Sequence, residues 1–244
     1  MGVRERQERN REAVRRAILD AARELFVSDG YQQVSIRKIA ERIEYSPAAI
    51  YSYFPSKDDI FLALAEEGFR MLIAERPACA PDIPPLDALR AMFWHYYEFS
   101  KRHPEHFALM FVDRSVPRIS KDWERFGFVR DMRVRLEQTI ADAASAGVFP
   151  AVANPHAIFR ILVAAVHGVA VMNLSNRLAP GEEADALAKD ALEAALAGLR
   201  AGSPVTFVPV AACPAEATAA EPHAPEPAAS EFDIVRDTPE DVHA

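Results

Sequence analysis

The sequence predicts an all-α protein: an N-terminal three-helix head of helix-turn-helix outline, joined to a C-terminal helical bundle and followed by a disordered C-terminal tail. Three observations carry this prediction. Apolar residues recur at helical spacing, with no convincing strand alternation before residue 203. Three serine-led helix starts follow one another closely near the N-terminus, at Ser35, Ser46 and Ser56. From Ser203 onward the composition shifts to Pro, Ala and Glu with few large apolar groups, so the chain there cannot bury enough surface to offset its ordering entropy.

The first helix is expected over Gln7 to Val27, with Ile18, Ala21, Ala22, Leu25 and Phe26 as its apolar stripe and Asp29-Gly30 as its stop. Ser35 caps a helix through Arg42. Ser46-Pro47 opens the next: the hydroxyl caps, and proline sits in the first turn where its missing N–H does no harm. Ser56-Lys57-Asp58-Asp59 resembles a capping box and opens a helix to about Arg76. The four prolines between Pro77 and Pro85 then place a boundary. Longer helices are expected over Leu86–Arg102, Pro104–Asp113, Ser120–Ala146, Pro155–Leu178 and Glu182–Ala201, with Gly147 and Gly202 as stops. The predicted organisation is a head with an N-terminal arm (1–57), a ligand-binding and dimerisation domain (58–202) and the tail (203–244).

Composition narrows the function. Residues 1–57 hold 11 Lys/Arg against 8 Asp/Glu, whereas residues 58–244 hold 17 against 28. A basic end on an acidic body suits a protein that meets phosphates at one end. Cys79 and Cys213 lie far apart and read as reduced thiols rather than a disulfide or a metal pair. The charged N-terminus is no signal peptide. The longest apolar run, Ile161 to Met172, falls short of the ~20 residues that a membrane span requires. The expectation is a cytoplasmic protein with no membrane partner and no cofactor.

The informative segment is Ser35 to Phe54, two short helices joined by a turn. Ile36, Ile39, Ala40 and Ile43 make a buried face against which Tyr45, Ala49, Ile50 and Phe54 can pack, with Ala40 small where the helices cross. The run Ala22-x-x-Leu25-Phe26, Gly30-Tyr31, Ser35-Ile36-x-x-Ile39-Ala40, Ser46-x-x-x-Ile50-Tyr51-x-Tyr53-Phe54, Lys57 and Ile60 closely resembles the TetR family of transcriptional regulators. The resemblance covers about the first sixty residues. His103-Pro104-Glu105-His106-Phe107-x-Leu109-Met110-Phe111 and His167-Gly168 resemble one branch of that family's ligand-binding domains. One position departs: Glu44 stands where the family usually has a turn glycine, and a left-handed glutamate costs about 1 kcal/mol.

The resemblance implies a dimer that binds palindromic double-stranded operator DNA and is released by a small-molecule effector. Ser35, Tyr51 and Lys57 would then contact phosphates, and Arg37, Ala48, Ala49 and Ser52 would face base edges. Tyr53 would do either, and Ser46 joins this set at the helix start. The aromatic-rich body offers Phe93, Trp94, Tyr97, Phe107, Met110, Phe111, Trp123, Phe126 and His167 as pocket residues, against the alternative that they form core. Phe159 to Met172 is apolar nearly all round, and the next helix offers Ala184, Leu187, Ala191, Ala194, Ala195 and Leu199. Helices of this kind fit a four-helix dimer interface. His95, His103, His106 and Asp113 lack the further ligands of a metal site, and none is expected. No nucleophile motif, glycine-rich loop or carboxylate pair supports an enzyme. The alternatives to ligand-released repression are a constitutive or protein-controlled DNA binder and, further off, a helical enzyme.

Overall fold

The computed structural model describes residues 2–76, 83–113, 126–150 and 154–202. Nine α-helices are present among the described residues, with no strand. The expected tail, Cys79, Cys213 and Trp123 lie outside the described residues.

Helix α1 spans Val3–Asp29, four residues earlier at its start than the sequence predicts, and Gly30 ends it at φ 82°, where its N–H bonds Phe26 O. A 3₁₀ turn at Tyr31–Gln33, which periodicity does not reveal, leads into α2 (Ile36–Arg42). The three serines act as caps: Ser35 accepts from Lys38 N, Ser46 opens α3 (Pro47–Tyr51) by accepting from Ala49 N, and Ser56 opens α4 (Lys57–Ala74) by accepting from Asp59 N. Between α2 and α3, Glu44 adopts φ 59°. Left-handed geometry brings Cβ against backbone, a cost that glycine avoids at the price of a freer unfolded chain. Glu44→Gly should therefore raise stability by up to about 1 kcal/mol in chemical denaturation, and Glu44→Ala should not. Equal stability of the two variants would show that the turn is not strained.

The body contains α5 (Pro85–Arg102), α6 (Pro104–Phe107), α7 (Gly127–Ser145), α8 (Pro155–Leu174) and α9 (Ala184–Arg200). Pro85 lies inside the stretch expected to be non-helical, yet it begins α5, because proline is tolerated in a first turn. The helix expected over Pro104–Asp113 breaks instead into α6 and a π-helical turn at Ala108–Val112. Helix α8 is 20 residues long with a hydropathy of 1.9, long and apolar enough to cross a membrane, contrary to the expectation from its shorter uninterrupted run. It packs against α5, α7 and α9, yet only 28% of its apolar window is buried within the subunit.

One hydrophobic core extends from Val14, Ile18 and Phe26 through Phe61 and Leu64 to Tyr97, Phe107, Leu162 and Leu196. Burial at this scale is the dominant stabilising term. Ion pairs stitch the head to the body across it: Arg23 Nε to Glu105 at 2.7 Å joins α1 to α6, and Arg16 bridges Asp20 and Glu67. Buried His106 Nε2 stands 3.3 Å from Glu67, an ion-pair approach that falls short of a well-aligned hydrogen bond.

His106, and then Arg16, hold the Glu67 carboxyl down to about 2. A depressed carboxyl contributes stability above its unfolded value of 4.5, and that contribution is lost as pH falls toward 2. Thermal midpoints of the parent and Glu67→Gln should thus differ at pH 5.5 and converge as pH drops through that window. A constant difference down to pH 3 would show that the carboxylate charge contributes nothing.

Candidate DNA-binding face and effector cavity

The residues expected to meet DNA lie at the surface of the head. Ser35, Arg37, Ser46, Ala48, Tyr51 and Ser52 are exposed, and Ala49, Tyr53 and Lys57 are partly so. Ile36, Ile39, Ala40, Ile50 and Phe54 form the buried reverse side. Tyr45, expected to pack there, is 44% exposed: it follows the left-handed Glu44, and the turn carries its ring outward. Tyr51 is 54% exposed, more than a packing tyrosine requires. Tyr53 is held from above by the Arg11 guanidinium, 5.7 Å from its ring centre.

Two cations on this face carry commitments invisible in the sequence. Lys57 Nζ donates to the carbonyls of Tyr31 (2.8 Å) and Val34 (2.9 Å) and lies 4.1 Å from the Tyr31 ring centre. It therefore bolts the start of α4 to the turn that precedes α2, with one of its three N–H groups left over. Tyr31 adds a second tie by donating to Asp58, and its own phenol is pushed upward by burial and then by that carboxylate. Arg37 Nε donates to Glu41 at 2.9 Å, but the pair is exposed and weakly held.

The body encloses a cavity of about 450 Å3 between α4, α5, α7 and α8. That volume falls within the range of small-molecule sites, about 300–1,000 Å3. Of the residues singled out from the sequence, Phe93, Phe111 and His167 line it. Phe107 is fully buried behind the wall, against Tyr96, Phe111 and His167. Phe126 is fully buried against Phe69. Met110 packs over Gly68, where an added Cβ would collide with its sulfur. Trp94 and Tyr97 turn toward α9: Lys189 lies over Trp94, and Tyr97 Oη donates to Asp185 at 2.9 Å.

Sequence reasoning missed most of the wall. Phe69, Leu72, Ile73 and Arg76 run along α4 and its C-terminal end, and Val129, Met132, Arg133 and Leu136 along α7. Each set follows the spacing i, i+3, i+4, i+7 of one helix face, the signal that marks them. Inside, Tyr96 Oη and His167 Nδ1 are 3.0 Å apart, and burial lowers the imidazole's pKa and raises the phenol's. His95 Nε2 lies 2.9 Å from Leu72 O. A carbonyl only accepts, so Nε2 carries the proton and Nδ1 receives Arg102 at 3.4 Å. His103 and His106 pair with Glu75 and Glu67, and no group of metal-ligating residues occurs among the described residues.

A capped helix pair with an exposed second helix, carried on a hollow helical body, defines a regulator of the helix-turn-helix type. Residues 18–64 match the family model of bacterial regulatory proteins of the tetR family, and residues 89–195 match the tetracyclin repressor-like C-terminal domain. The chain belongs to the TetR family. An HTH-type transcriptional repressor of Mycobacterium tuberculosis is 40% identical over 62 residues, which are 25% of this chain and 33% of the relative. The regulator RutR of Escherichia coli is 29% identical over 93 residues, 38% of this chain and 44% of the relative. These matches span less than half the length of the curated relatives. A TetR-like transcriptional regulator from Rhodococcus superposes with a TM-score of 0.57 at 27% identity, covering 78% of this chain and 97% of its own. The TetR-family regulator PfmR of Thermus thermophilus shares the fold, with a TM-score of 0.60 at 21% identity over 75% of this chain and 98% of its own.

Proposed function

We propose that the protein is a dimeric cytoplasmic repressor that binds a palindromic operator and is released by a small apolar or aromatic ligand. The division into a reading head (1–57) and a ligand-binding, dimerising body (58–202) belongs to this reading. The observation that carries it is α4: one helix is bolted to the head by Lys57 at its first turn and forms a wall of the cavity with Phe69, Leu72 and Ile73 at its far end. In-vitro selection from random duplexes should enrich a palindrome, and a pool that stays random would overturn the reading.

Within it, Ser35, Ser46, Tyr51 and the spare N–H of Lys57 meet phosphates, while Arg37, Ala48, Ala49 and Ser52 face base edges, with Tyr53 beside them. Tyr51→Phe then weakens binding to all duplexes alike. Arg37→Ala instead alters preference at one position per half-site, by about 1–3 kcal/mol for a bidentate guanine contact. Competition titrations with single-base operator variants check this. An equal loss on operator and random DNA would remove Arg37 from base reading.

Dimerisation rests on faces that the subunit covers only in part, with Ile161, Leu187, Ala191 and Ala195 half-buried against its own core. On α8, Ile161, Ala164, Ala165, Gly168 and Met172 repeat at helical spacing, with Ala164, Gly168 and Met172 exposed. On α9, Leu187, Ala191, Ala194, Ala195 and Gly198 do the same. Small residues let helices approach closely, and two such faces related by a two-fold axis make a four-helix interface.

A further inference from the structure

We infer that the cavity takes an amphipathic anion, a monocarboxylate with an apolar or aromatic body, its acid group held at the mouth by Arg76 and Arg133. This deepens the ligand-release reading above and rests on it for the use of the cavity as an effector site.

The argument starts from where polarity lies in the cavity. Its interior is lined by side chains such as Phe69, Phe93, Phe111 and Phe159, and the polar groups there are already engaged. His95 is satisfied at both ring nitrogens, by Leu72 O and Arg102. Tyr96 and His167 satisfy one another. An apolar body enters such a space without stranding a buried polar group.

The mouth differs. Ile73, Arg76 and Arg133 are the exposed lining residues, whereas the rest of the described lining is buried or half-buried. Among the described residues, Arg76 and Arg133 are also the charged lining residues, and no carboxylate accompanies them in the wall. Each arginine occupies a step of a stripe that is otherwise wholly apolar: Phe69, Leu72, Ile73, Arg76 on one side, and Val129, Met132, Arg133, Leu136 on the other. Arg76 has no side-chain partner among the described residues. Arg133 reaches Glu137 through Nε at 3.3 Å, but that carboxylate is also engaged by His156 at 2.9 Å. The remaining guanidinium N–H groups are donors without acceptor capacity. Two cations beside a low-dielectric wall raise the local potential for an anion, and a planar carboxylate matches a guanidinium in geometry. A cationic ligand would meet like charge at the mouth. A neutral one would leave the arginines' donors without an acceptor from the ligand.

The test uses the full-length protein and matched probes: decanoic acid, decanol and decylamine, with 4-phenylbutyric acid and 4-phenylbutanol as the aromatic pair. Binding is measured by calorimetry in the presence and absence of operator DNA. The acids should bind at least about tenfold more tightly than the alcohols, as one charge-assisted hydrogen bond implies, and the amine should bind least. Arg76→Met and Arg133→Met should each remove most of the acid's advantage while leaving the alcohol's affinity unchanged, and Arg133→Lys should restore part of it. Alcohols that bind as well as acids, acids insensitive to both arginine variants, or a series in which nothing binds would overturn the inference. Alcohols that bind and release operator while acids do not would sink the anion preference alone. Acids that bind through the arginines without altering operator affinity would sink the release mechanism alone.

Discussion

Gly168→Glu should leave the subunit folded, convert the dimer to a monomer, and lower operator affinity by about 10²–10⁴-fold, because two linked half-site contacts become one. A glycine in the middle of a helix costs roughly 0.5–1 kcal/mol relative to alanine, so its presence in α8 calls for a reason. None lies inside the subunit: a Cβ built at Gly168 meets nothing within 4 Å, and the residue is exposed. Contrast Gly68, where a Cβ would strike Met110 and the glycine is explained by its own chain. Gly168 sits midway along the partly exposed stripe from Ile161 to Met172, the face proposed above for the second copy. The glutamate side chain clashes with nothing in one subunit and buries a charge in the pair, where an unpaired charge is strongly unfavourable. Circular dichroism should show an unchanged helical subunit, and light scattering should show half the parent mass at micromolar concentration. A variant that keeps the dimer mass would move the interface away from α8.

The head was legible because its signals are local. Each of Ser35, Ser46 and Ser56 caps a helix through a hydrogen bond that spans three residues, so sequence order already contains the contact. The body was legible as helices but not as a site. Phe93 and Trp94 are neighbours in sequence and similar in chemistry, yet one helical step turns Phe93 into the cavity and Trp94 toward α9. Aromatic size does not reveal facing, and the apolar wall residues of α4 and α7 read equally well as core. The double use of Lys57 was hidden for a related reason. Its carbonyl acceptors, on Tyr31 and Val34, are 26 and 23 residues away and offer no side-chain signature. The π-helical turn at Ala108–Val112, in which Phe111 packs against Tyr96, has no local propensity signal in the sequence.

A compound that fills the cavity should weaken operator binding by roughly 5–150-fold, and operator should weaken that compound's binding by the same factor, corresponding to a coupling of about 1–3 kcal/mol. The physical link is α4. Its 18 residues make a rod about 27 Å long, clamped to the head by Lys57 and forming the cavity wall near its other end. A tilt of about 5° over that length displaces the head by about 2 Å. Two heads must present their α3 helices about 34–36 Å apart, or a multiple of it, to enter successive major grooves, so a displacement of this size on each side spoils the fit without unfolding anything. The ties from Arg23 to Glu105 and from Arg16 to Glu67 make the tilt a three-element event, since α1 must move with α4 and α6 or lose those contacts. Ligand shifts the equilibrium only by its differential affinity for the two arrangements, and reciprocity follows from the thermodynamic cycle. Titrating the same compound into free protein and into the protein–operator complex closes that cycle. Equal ligand affinity in the two titrations would mean that α4 does not couple the sites, leaving a DNA binder that is constitutive or controlled by another protein.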